Sequence, residues 1–191
     1  MDSFDIAKAM ADFYYPMQRL ELDLLAEILV PFKIAKGDLL VKEGNICKYM
    51  YYVQKGMIRQ FYFKAGKDLT EHFSYEGNMI ICIESFINQE PSKLLAEAIE
   101  PTIVWGIEHD GIEKLALQNH RLGVFYRKIY EYSLIVSQKK ADSLRFATAH
   151  EKYARLLQTD PEILKRAPLI DIASYLQMTP ETLSRVRSSS L

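Results

Sequence analysis

Cysteine is scarce in this sequence, which has only Cys47 and Cys82 and no Cys-x-x-Cys motif among its 191 residues. That scarcity argues against a structural zinc site, a thioredoxin-type centre and a cysteine-ligated iron–sulfur cluster. Both cysteines sit among apolar residues, which predicts buried structural thiols. The histidines are also few and scattered, so we predict no metal site; they are His72, His109, His120 and His150.

Long apolar runs are missing as well, and no stretch is long enough to span a bilayer. The N-terminal segment carries acids early and has no apolar core, so it does not read as a signal peptide. We therefore expect a cytoplasmic protein with no membrane partner and with its thiols reduced.

A strong excess of either charge is absent, because the net charge is −1 and the pI is about 6.4. The charge is uneven, however. Residues 139–191 hold nine Lys/Arg and six Asp/Glu, whereas residues 1–138 hold 15 and 19. This asymmetry is compatible with a nucleic-acid surface near the C-terminal end, although a merely solvated face has the same composition.

The hydrophobic pattern changes twice along the chain. Residues 3–15 and 17–29 have helical periodicity, with Pro31 expected to end the second helix. From Phe32 to Ile107, short β-branched and aromatic runs alternate with glycines, which predicts an antiparallel sandwich or barrel. Two of these runs meet at Gln54-Lys55-Gly56, where the glycine suits a tight turn.

A long helix is predicted from 119 to 146, after a short helical segment at 111–118. Its apolar residues alternate in steps of three and four, which is typical of a coiled-coil seam. The seam fits packing against its own domain or a parallel homodimer, and we favour the homodimer. The seam residues are Leu122, Phe125, Ile129, Tyr132 and Val136.

Three small helices are predicted after the long helix, at about 150–158, 169–176 and 180–187, and residues 169–188 fit a helix-turn-helix. Thr179 is a good N-cap, Pro180 occupies the first helical position, and Glu181 complements the helix dipole. With Leu183 and Val186 facing inward, the residues expected to project outward are Glu181, Thr182, Ser184, Arg185 and Arg187.

The projecting residues suit a DNA major groove. Arg185 can donate two hydrogen bonds to guanine, Glu181 can accept one from cytosine, and Thr182 or Ser184 can contact phosphate. The alternative is that Glu181 and Arg185 form only a weak surface pair of about 0.3–0.5 kcal/mol. One residue departs from the motif, because the turn holds Gln177 where glycine is usual, and a left-handed conformation there costs about 1–2 kcal/mol.

Two stretches, "GDLLVKEGNICKYMYYVQKGMIRQFY" and "IASYLQMTPETLSRVR", resemble the CRP/FNR family of bacterial transcription regulators. The resemblance implies an α+β fold with an N-terminal antiparallel β-roll (jelly-roll, cyclic-nucleotide-binding-like), a dimerisation helix and a C-terminal helix-turn-helix domain. We expect these parts at residues 1–118, 119–146 and 147–191. It also implies double-stranded DNA, a second copy of the chain and RNA polymerase as partners.

The resemblance implies that Glu181 and Arg185 contact DNA bases, because family members contact bases with the matching glutamate and arginine. The family's preceding arginine is replaced here by Pro180, so the target sequence is expected to differ. Only Ser188–Leu191 follow the recognition helix, so we expect either that the family's wing is absent or very short or that the chain has been shortened. Phosphate anchoring would then rest on helix termini and on Lys152, Arg155, Lys165 and Arg166.

The effector region departs further from the family. Members that bind cyclic nucleotides hold the ribose with a Gly-Glu pair and the phosphate with an Arg-Ser pair; Ile81-Cys82 and Ser92-Lys93 stand there instead. Burying a phosphate without a cation is costly, so we do not expect cyclic AMP as the effector, and we predict no cofactor. Candidate pocket residues for another small molecule are Ile81, Cys82, Ile83, Glu84, Ser85, Ser92, Lys93, Leu94 and Ser137.

The sequence thus favours a homodimeric DNA-binding transcription regulator that is not an enzyme. A small-molecule-binding or protein-interaction module with a vestigial helix-turn-helix is the second hypothesis, motivated by Gln177, Pro180 and the missing wing. A cupin-type enzyme is the third, but it gathers several histidines around a metal, and the β-region offers only His72.

Overall fold

The computed structural model describes residues 1–189, which form two compact units. The first unit comprises residues 1–59 and 74–133, and the second comprises residues 60–73 together with the chain from 134 onward. This division differs from the expected ranges because it runs through the long helix. Residues 190 and 191, part of the segment expected to lack a wing, lie outside the described residues. Among those described, no helix is long and apolar enough to cross a bilayer.

The first unit combines helices with two sheets, which confirms the α+β class and the β-roll. Its elements are α1 Ser3–Tyr14, α2 Arg19–Glu27, β1 Leu29–Ile34, β2 Leu39–Val41, β3 Tyr49–Lys55, β6 Met79–Ile80, α3 Ile83–Asn88, β7 Leu95–Ala98, β8 Thr102–Glu108 and α4 His109–Gln118. Three elements contribute to both units: β4 Met57–Lys64, β5 Lys67–Tyr75 and α5 His120–Phe146.

The strands form two four-stranded sheets with the orders β1-β8-β3-β6 and β2-β7-β4-β5. Helix α2 ends at Glu27. The prediction that Pro31 ends this helix is therefore wrong. Pro31 lies instead within β1, opposite Trp105 of β8. Because β1 is an edge strand, a residue without an N–H is tolerated there at little cost.

Gly56 links β3 to β4, and these two strands belong to different sheets. The glycine has φ = +98°, and a Cβ atom built on it would lie 2.3 Å from Thr102 Oγ1 and 2.7 Å from Thr102 Cα. The predicted turn is therefore present, but it carries the chain from one sheet to the other. Both the backbone conformation and the close approach of Thr102 require glycine at this position.

The N-terminal half of α5 packs into the first unit. Leu122, Phe125 and Ile129 are fully buried in the hydrophobic core of that unit, so a second copy of the chain cannot reach them. These three residues therefore do not form the expected dimer seam. They pack within their own domain, which was the alternative prediction. Of the remaining seam residues, Tyr132 is 42% exposed and stacks edge-on against Phe13, whereas Val136 is half-buried.

The second unit contains the tip of the β4–β5 hairpin, the C-terminal half of α5 and four short helices. These helices are α6 Ala149–Thr159, α7 Pro161–Arg166, α8 Leu169–Tyr175 and α9 Pro180–Ser189. Helix α7 lies between two of the three helices that the sequence predicts and is not itself among them; Pro161 occupies its first position. The apolar core includes Tyr153, Leu156, Ile163, Ile172, Leu176, Leu183 and Val186.

We predict that Gly56→Ala lowers the free energy of unfolding by about 3 kcal/mol or more, because a strained φ and a backbone clash act together. The matched control is Gly37→Ala, since Gly37 also has positive φ (+86°) but has no atom within 4 Å of the added methyl group. This control should lose only about 1–2 kcal/mol. Denaturant unfolding measures both values, and equal losses would contradict the close contact with Thr102.

His72 of β5 gives the second unit a specific pH dependence. Burial lowers the pKa of His72 from 6.5 to about 4; the Lys140 charge acts in the same direction, and Glu71 opposes it. In the unfolded chain His72 binds a proton below about pH 6.5, whereas in the folded chain it binds one only below about pH 4. The folded state therefore loses stability as the pH falls from about 6.5 to about 4.

We predict that the wild type loses about 2–3 kcal/mol more stability than His72→Gln between pH 6.5 and pH 4. Chemical denaturation at a series of pH values measures this difference. His120→Gln, which removes an exposed histidine of α5, is the matched control and should follow the wild type. Parallel curves for the wild type and His72→Gln would contradict the assignment.

Candidate nucleic-acid interface

The turn between α8 and α9 is held by backbone hydrogen bonds and a left-handed residue. Gln177 has φ = +52°, the conformation that glycine usually supplies. Its amide donates to the Ser174 carbonyl at 3.0 Å, and the Met178 amide donates to the Ala173 carbonyl at 3.0 Å. This pair of bonds is a Schellman motif, which satisfies carbonyls at the end of α8. The helix-turn-helix geometry is therefore kept in spite of the missing glycine.

Helix α9 begins as the sequence predicts. The Thr179 hydroxyl accepts a hydrogen bond from the Thr182 amide at 3.2 Å, which is an N-cap, and Pro180 is the first helical residue. Glu181 is exposed, and the backbone amide and the Thr179 hydroxyl hydrogen-bonded to it lower the pKa of its carboxyl group. The carboxylate is thus held ionised at the helix start.

The two faces of α9 differ sharply in exposure. Leu183 and Val186 are buried, with 0% and 3% of their surface exposed, and they pack into the second unit. Thr182 is half-buried, and its hydroxyl lies 3.5 Å from Arg185 Nη2. The exposed side chains on the other face are Glu181, Ser184, Arg185 and Arg187.

The four basic residues proposed to contact phosphate lie in two groups. Arg155 is exposed and Lys152 is half-buried on α6, so both are near solvent. On α7, Lys165 Nζ lies 2.7 Å from Glu162 Oε1, and Arg166 Nη1 lies 3.9 Å from Glu162 Oε2. The acid therefore offsets part of the α7 charge, and Arg155 is a stronger phosphate candidate than either α7 residue.

The tip of the β4–β5 hairpin packs against α8, a contact that sequence reasoning missed. The Thr70 amide donates to Ser174 Oγ at 2.9 Å, and the Phe73 and Tyr175 rings meet edge-to-face at 5.5 Å. Lys140 of α5 reinforces this contact. Its ammonium group lies 3.0 Å from Glu71 Oε1 and 5.1 Å from the centre of the Tyr175 ring. These residues are far apart in sequence, and no local pattern signals their meeting.

A groove of about 360 Å³ lies between this hairpin and the helix-turn-helix turn. Its lining residues on the hairpin are Tyr62, Leu69, Thr70 and Glu71, and those on the helical side are Ser174, Gln177, Met178 and Thr179. The hairpin therefore reaches the residues that immediately precede α9. A displacement of the hairpin would change the surroundings of Gln177 and Thr179 directly.

The predicted effector residues are divided between the interior and the surface. Ile81, Cys82, Ser85 and Ser92 are buried, whereas Ile83, Glu84 and Lys93 are exposed and Leu94 is half-buried. Ser137 lies exposed on α5, in the second unit. Residues 81–85 and 92–94 thus lie in the first unit, and the two charged residues among them, Glu84 and Lys93, are both exposed.

The buried serines of this region hold the backbone in place. Ser85 Oγ accepts a hydrogen bond from the Cys47 amide at 2.9 Å and donates one to the Glu90 carbonyl at 2.5 Å. Ser92 Oγ accepts from the Leu94 amide at 3.0 Å. These hydroxyl groups stabilise the segment from 82 to 94, which includes the short helix α3, and sequence reasoning had assigned them only to a ligand.

Comparison with known proteins relates both units to bacterial regulators. A family model described as a cyclic nucleotide-binding domain matches residues 31–119. The fumarate and nitrate reduction regulatory protein of Vibrio cholerae is 25% identical over 185 residues, which cover 90% of this chain and 73% of that protein. The Yersinia pestis protein of the same name is 27% identical over 186 residues, with the same coverage.

Solved structures show the same fold. FixK2 from Bradyrhizobium japonicum superposes with a TM-score of 0.72 and 24% identity, over 85% of this chain and 84% of that chain. The catabolite activator protein of Thermus thermophilus superposes with a TM-score of 0.59 and 17% identity, over 95% and 85% of the two chains. The chain therefore contains a cyclic nucleotide-binding domain and has the fold of these solved structures, and over 90% of its length it is similar to two fumarate and nitrate reduction regulatory proteins.

Proposed function

We propose that the protein is a homodimeric transcription regulator that binds double-stranded DNA with α9 as its recognition helix. The observation that carries the proposal is the exposed polar face of α9, which an N-cap and a left-handed turn hold in place. The regulatory names of its sequence relatives support the same function. RNA polymerase is the further partner that this function implies.

The side chains on the exposed face of α9 match the chemistry of the major groove. Arg185 supplies a planar guanidinium group that can donate to both guanine acceptors, and ionised Glu181 can accept from the cytosine amino group. Ser184 and the start of α9 supply phosphate contacts, which fix register without reading sequence. Arg155 and Arg187 add positive charge that is exposed to solvent.

The proposed homodimer uses the C-terminal half of α5. Leu134 and Ile135 are large apolar residues with 69% and 54% of their surface exposed, an exposure that covering by a partner would explain. A second copy of the chain is the natural occupant, because two parallel α5 helices bury the same surface on both protomers. Two recognition helices would then read half-sites about 34 Å apart.

The effector of this regulator is proposed to be a small molecule other than cyclic AMP. Ile81 and Cys82 are buried where a glutamate would hold the ribose, and exposed Lys93 is the only cation at the two phosphate-binding positions. The hairpin contact around Thr70 and Ser174 offers a route from the β-roll strands to the recognition helix. Small displacements of β4 and β5 would reach the turn by this path.

We predict that Arg185→Ala weakens binding to a selected operator by about 1–3 kcal/mol, which is about 5- to 150-fold in Kd. The lost interaction is bidentate base recognition, so binding to unrelated DNA should change much less. Fluorescence anisotropy with operator and scrambled duplexes at fixed salt measures the two affinities.

The matched control for this change is Arg127→Ala, which removes the same charge from an exposed position of α5 that pairs with Glu131. This variant should keep the operator affinity of the wild type. Equal weakening on operator and scrambled DNA would contradict base recognition by Arg185. Binding of the wild type that is insensitive to salt would favour the vestigial helix-turn-helix instead.

We predict that Ile135→Glu raises the dimer dissociation constant by about 30-fold or more, because a carboxylate would be buried at the centre of an apolar contact. Analytical ultracentrifugation across a micromolar concentration series measures this constant. The control is Leu20→Glu on α2, where the leucine is 65% exposed, and this variant should remain dimeric. An unchanged dimer in Ile135→Glu would show that α5 does not form the interface.

A further inference from the structure

The β4–β5 hairpin ends in a tight turn that two lysines flank. Strand β4 ends at Lys64 and β5 begins at Lys67, so only Ala65 and Gly66 connect the two strands. Both connecting residues have positive φ, +52° and +75°, which is the conformation of a type I′ turn. A two-residue turn places the residues on either side of it directly opposite each other. Lys64 and Lys67 therefore share one face of the hairpin.

The face that carries the lysines is the one that lines the groove beside the helix-turn-helix turn. Side chains two residues apart on a strand point to the same side of the sheet. Lys64 therefore shares its side with Tyr62, and Lys67 shares its side with Leu69 and Glu71. Tyr62, Leu69 and Glu71 are all lining residues of the groove of about 360 Å³. The two lysines thus continue the groove-lining face toward the tip of the hairpin.

The other wall of this groove leads to the start of α9. It includes Gln177, Met178 and Thr179, and α9 begins at Pro180 immediately after them. The backbone amides at the start of a helix carry partial positive charge and attract anions. Glu181 in the first turn does not line the groove, and the proposed function assigns its carboxylate to a cytosine amino group. The lysine face and the start of α9 therefore flank one groove, and both attract negative charge.

The acidic residues of the hairpin leave the charge of the lysines available. Asp68 is next to Lys67 in β5, so its side chain points to the opposite side of the hairpin. Glu71 lies on the lysine side, but its carboxylate is 3.0 Å from the ammonium group of Lys140, which offsets its charge. Lys64 and Lys67 are both exposed to solvent.

The tip of the hairpin has this form at a cost to stability. Like charges directly opposite each other on a hairpin repel, as Lys64 and Lys67 do. The turn also holds Ala65 in the left-handed region, which is unfavourable for a residue with a side chain. A partner with closely spaced negative charges would relieve the repulsion, and the phosphate backbone of DNA is such a partner.

We propose that the β4–β5 hairpin is a second DNA-contacting element, in which Lys64 and Lys67 bind backbone phosphates beside the major groove that α9 reads. This role rests on the proposed function, because it takes α9 as the recognition helix. Lysine ammonium groups bind phosphate as point charges and do not read the base sequence. The hairpin therefore adds affinity and fixes the position of α9 on the duplex, whereas Arg185 supplies the specificity.

The test removes both charges in the double variant Lys64→Gln/Lys67→Gln of the full-length chain. Its binding to operator and scrambled duplexes is measured across a salt series. Each phosphate contact contributes about 0.9 to the slope of log K against log salt, so the slope should become shallower by about 1.8. At about 100 mM salt the affinity should fall about 10-fold on both duplexes. Arg185→Ala, by contrast, should weaken mainly operator binding.

Ethylation interference identifies the phosphates that the hairpin binds. With the wild type, ethylation of the phosphates that flank each half-site should weaken binding. With the hairpin double variant, the phosphates that Lys64 and Lys67 contact should lose this effect, while the other phosphates should keep it. This readout separates a direct contact from a general change in the charge of the protein.

The matched control is Lys33→Gln/Lys36→Gln, which removes two exposed lysines from the first unit. This control should keep the affinity and the salt slope of the wild type. Thermal unfolding followed by circular dichroism checks the fold of the hairpin variant. Its Tm should be no lower than that of the wild type, because the change removes a repulsion between exposed side chains.

Failure of the hairpin contact can be told apart from failure of the proposed function. A wild type that binds no duplex would overturn both. If operator recognition requires Arg185 but the hairpin variant keeps the wild-type affinity, salt slope and interference pattern, only the hairpin contact is overturned; a hairpin that contacts a protein instead of DNA would give this result. Equal weakening in the Lys33/Lys36 control would also overturn it.

Discussion

The left-handed turn at Gln177 is the constraint on which the recognition unit depends. It closes α8 with two backbone hydrogen bonds and lets Thr179 cap α9 immediately afterwards. With this turn in place, Leu183 and Val186 enter the core while Arg185 stays outside. A glutamine in the left-handed region costs about 1–2 kcal/mol, so the burial of both apolar residues must offset that strain.

The long helix α5 has a different role in each half. Its first half is part of the β-roll core, since Leu122, Phe125 and Ile129 are completely buried there. Its second half exposes Leu134 and Ile135 and carries Lys140, whose ammonium group bonds to Glu71 of the hairpin. The helix therefore contributes residues to both units.

The sequence predicted those features that depend on interactions between residues close together in the chain, namely helix caps and the buried face of a helix. The cap at Thr179, Pro180 at the first helical position and the inward spacing of Leu183 and Val186 are all readable within ten residues, and the structure has each of them. The seam on α5 was harder, because a heptad pattern does not say whether the covering surface belongs to the same chain. The first three seam residues are covered by their own unit.

Contacts between distant segments escaped prediction for a physical reason. The hydrogen bond from Thr70 to Ser174 and the ring contact between Phe73 and Tyr175 depend on how strands and helices fold back on one another. Neither contact changes the hydrophobic periodicity or the turn residues near it, so neither contact can be predicted from a single sequence. The same holds for Ser85 and Ser92, whose hydroxyl groups hold backbone that only the folded chain brings together.

The central claim is that two copies of α9 read one duplex, and hydroxyl-radical footprinting tests it most directly. The duplex would be an operator selected from a random library by the full-length protein. We expect two protected segments centred about one helical turn apart, on one face of the DNA, with related sequences in inverted orientation. A single protected segment, or protection that is uniform along the duplex, would contradict it.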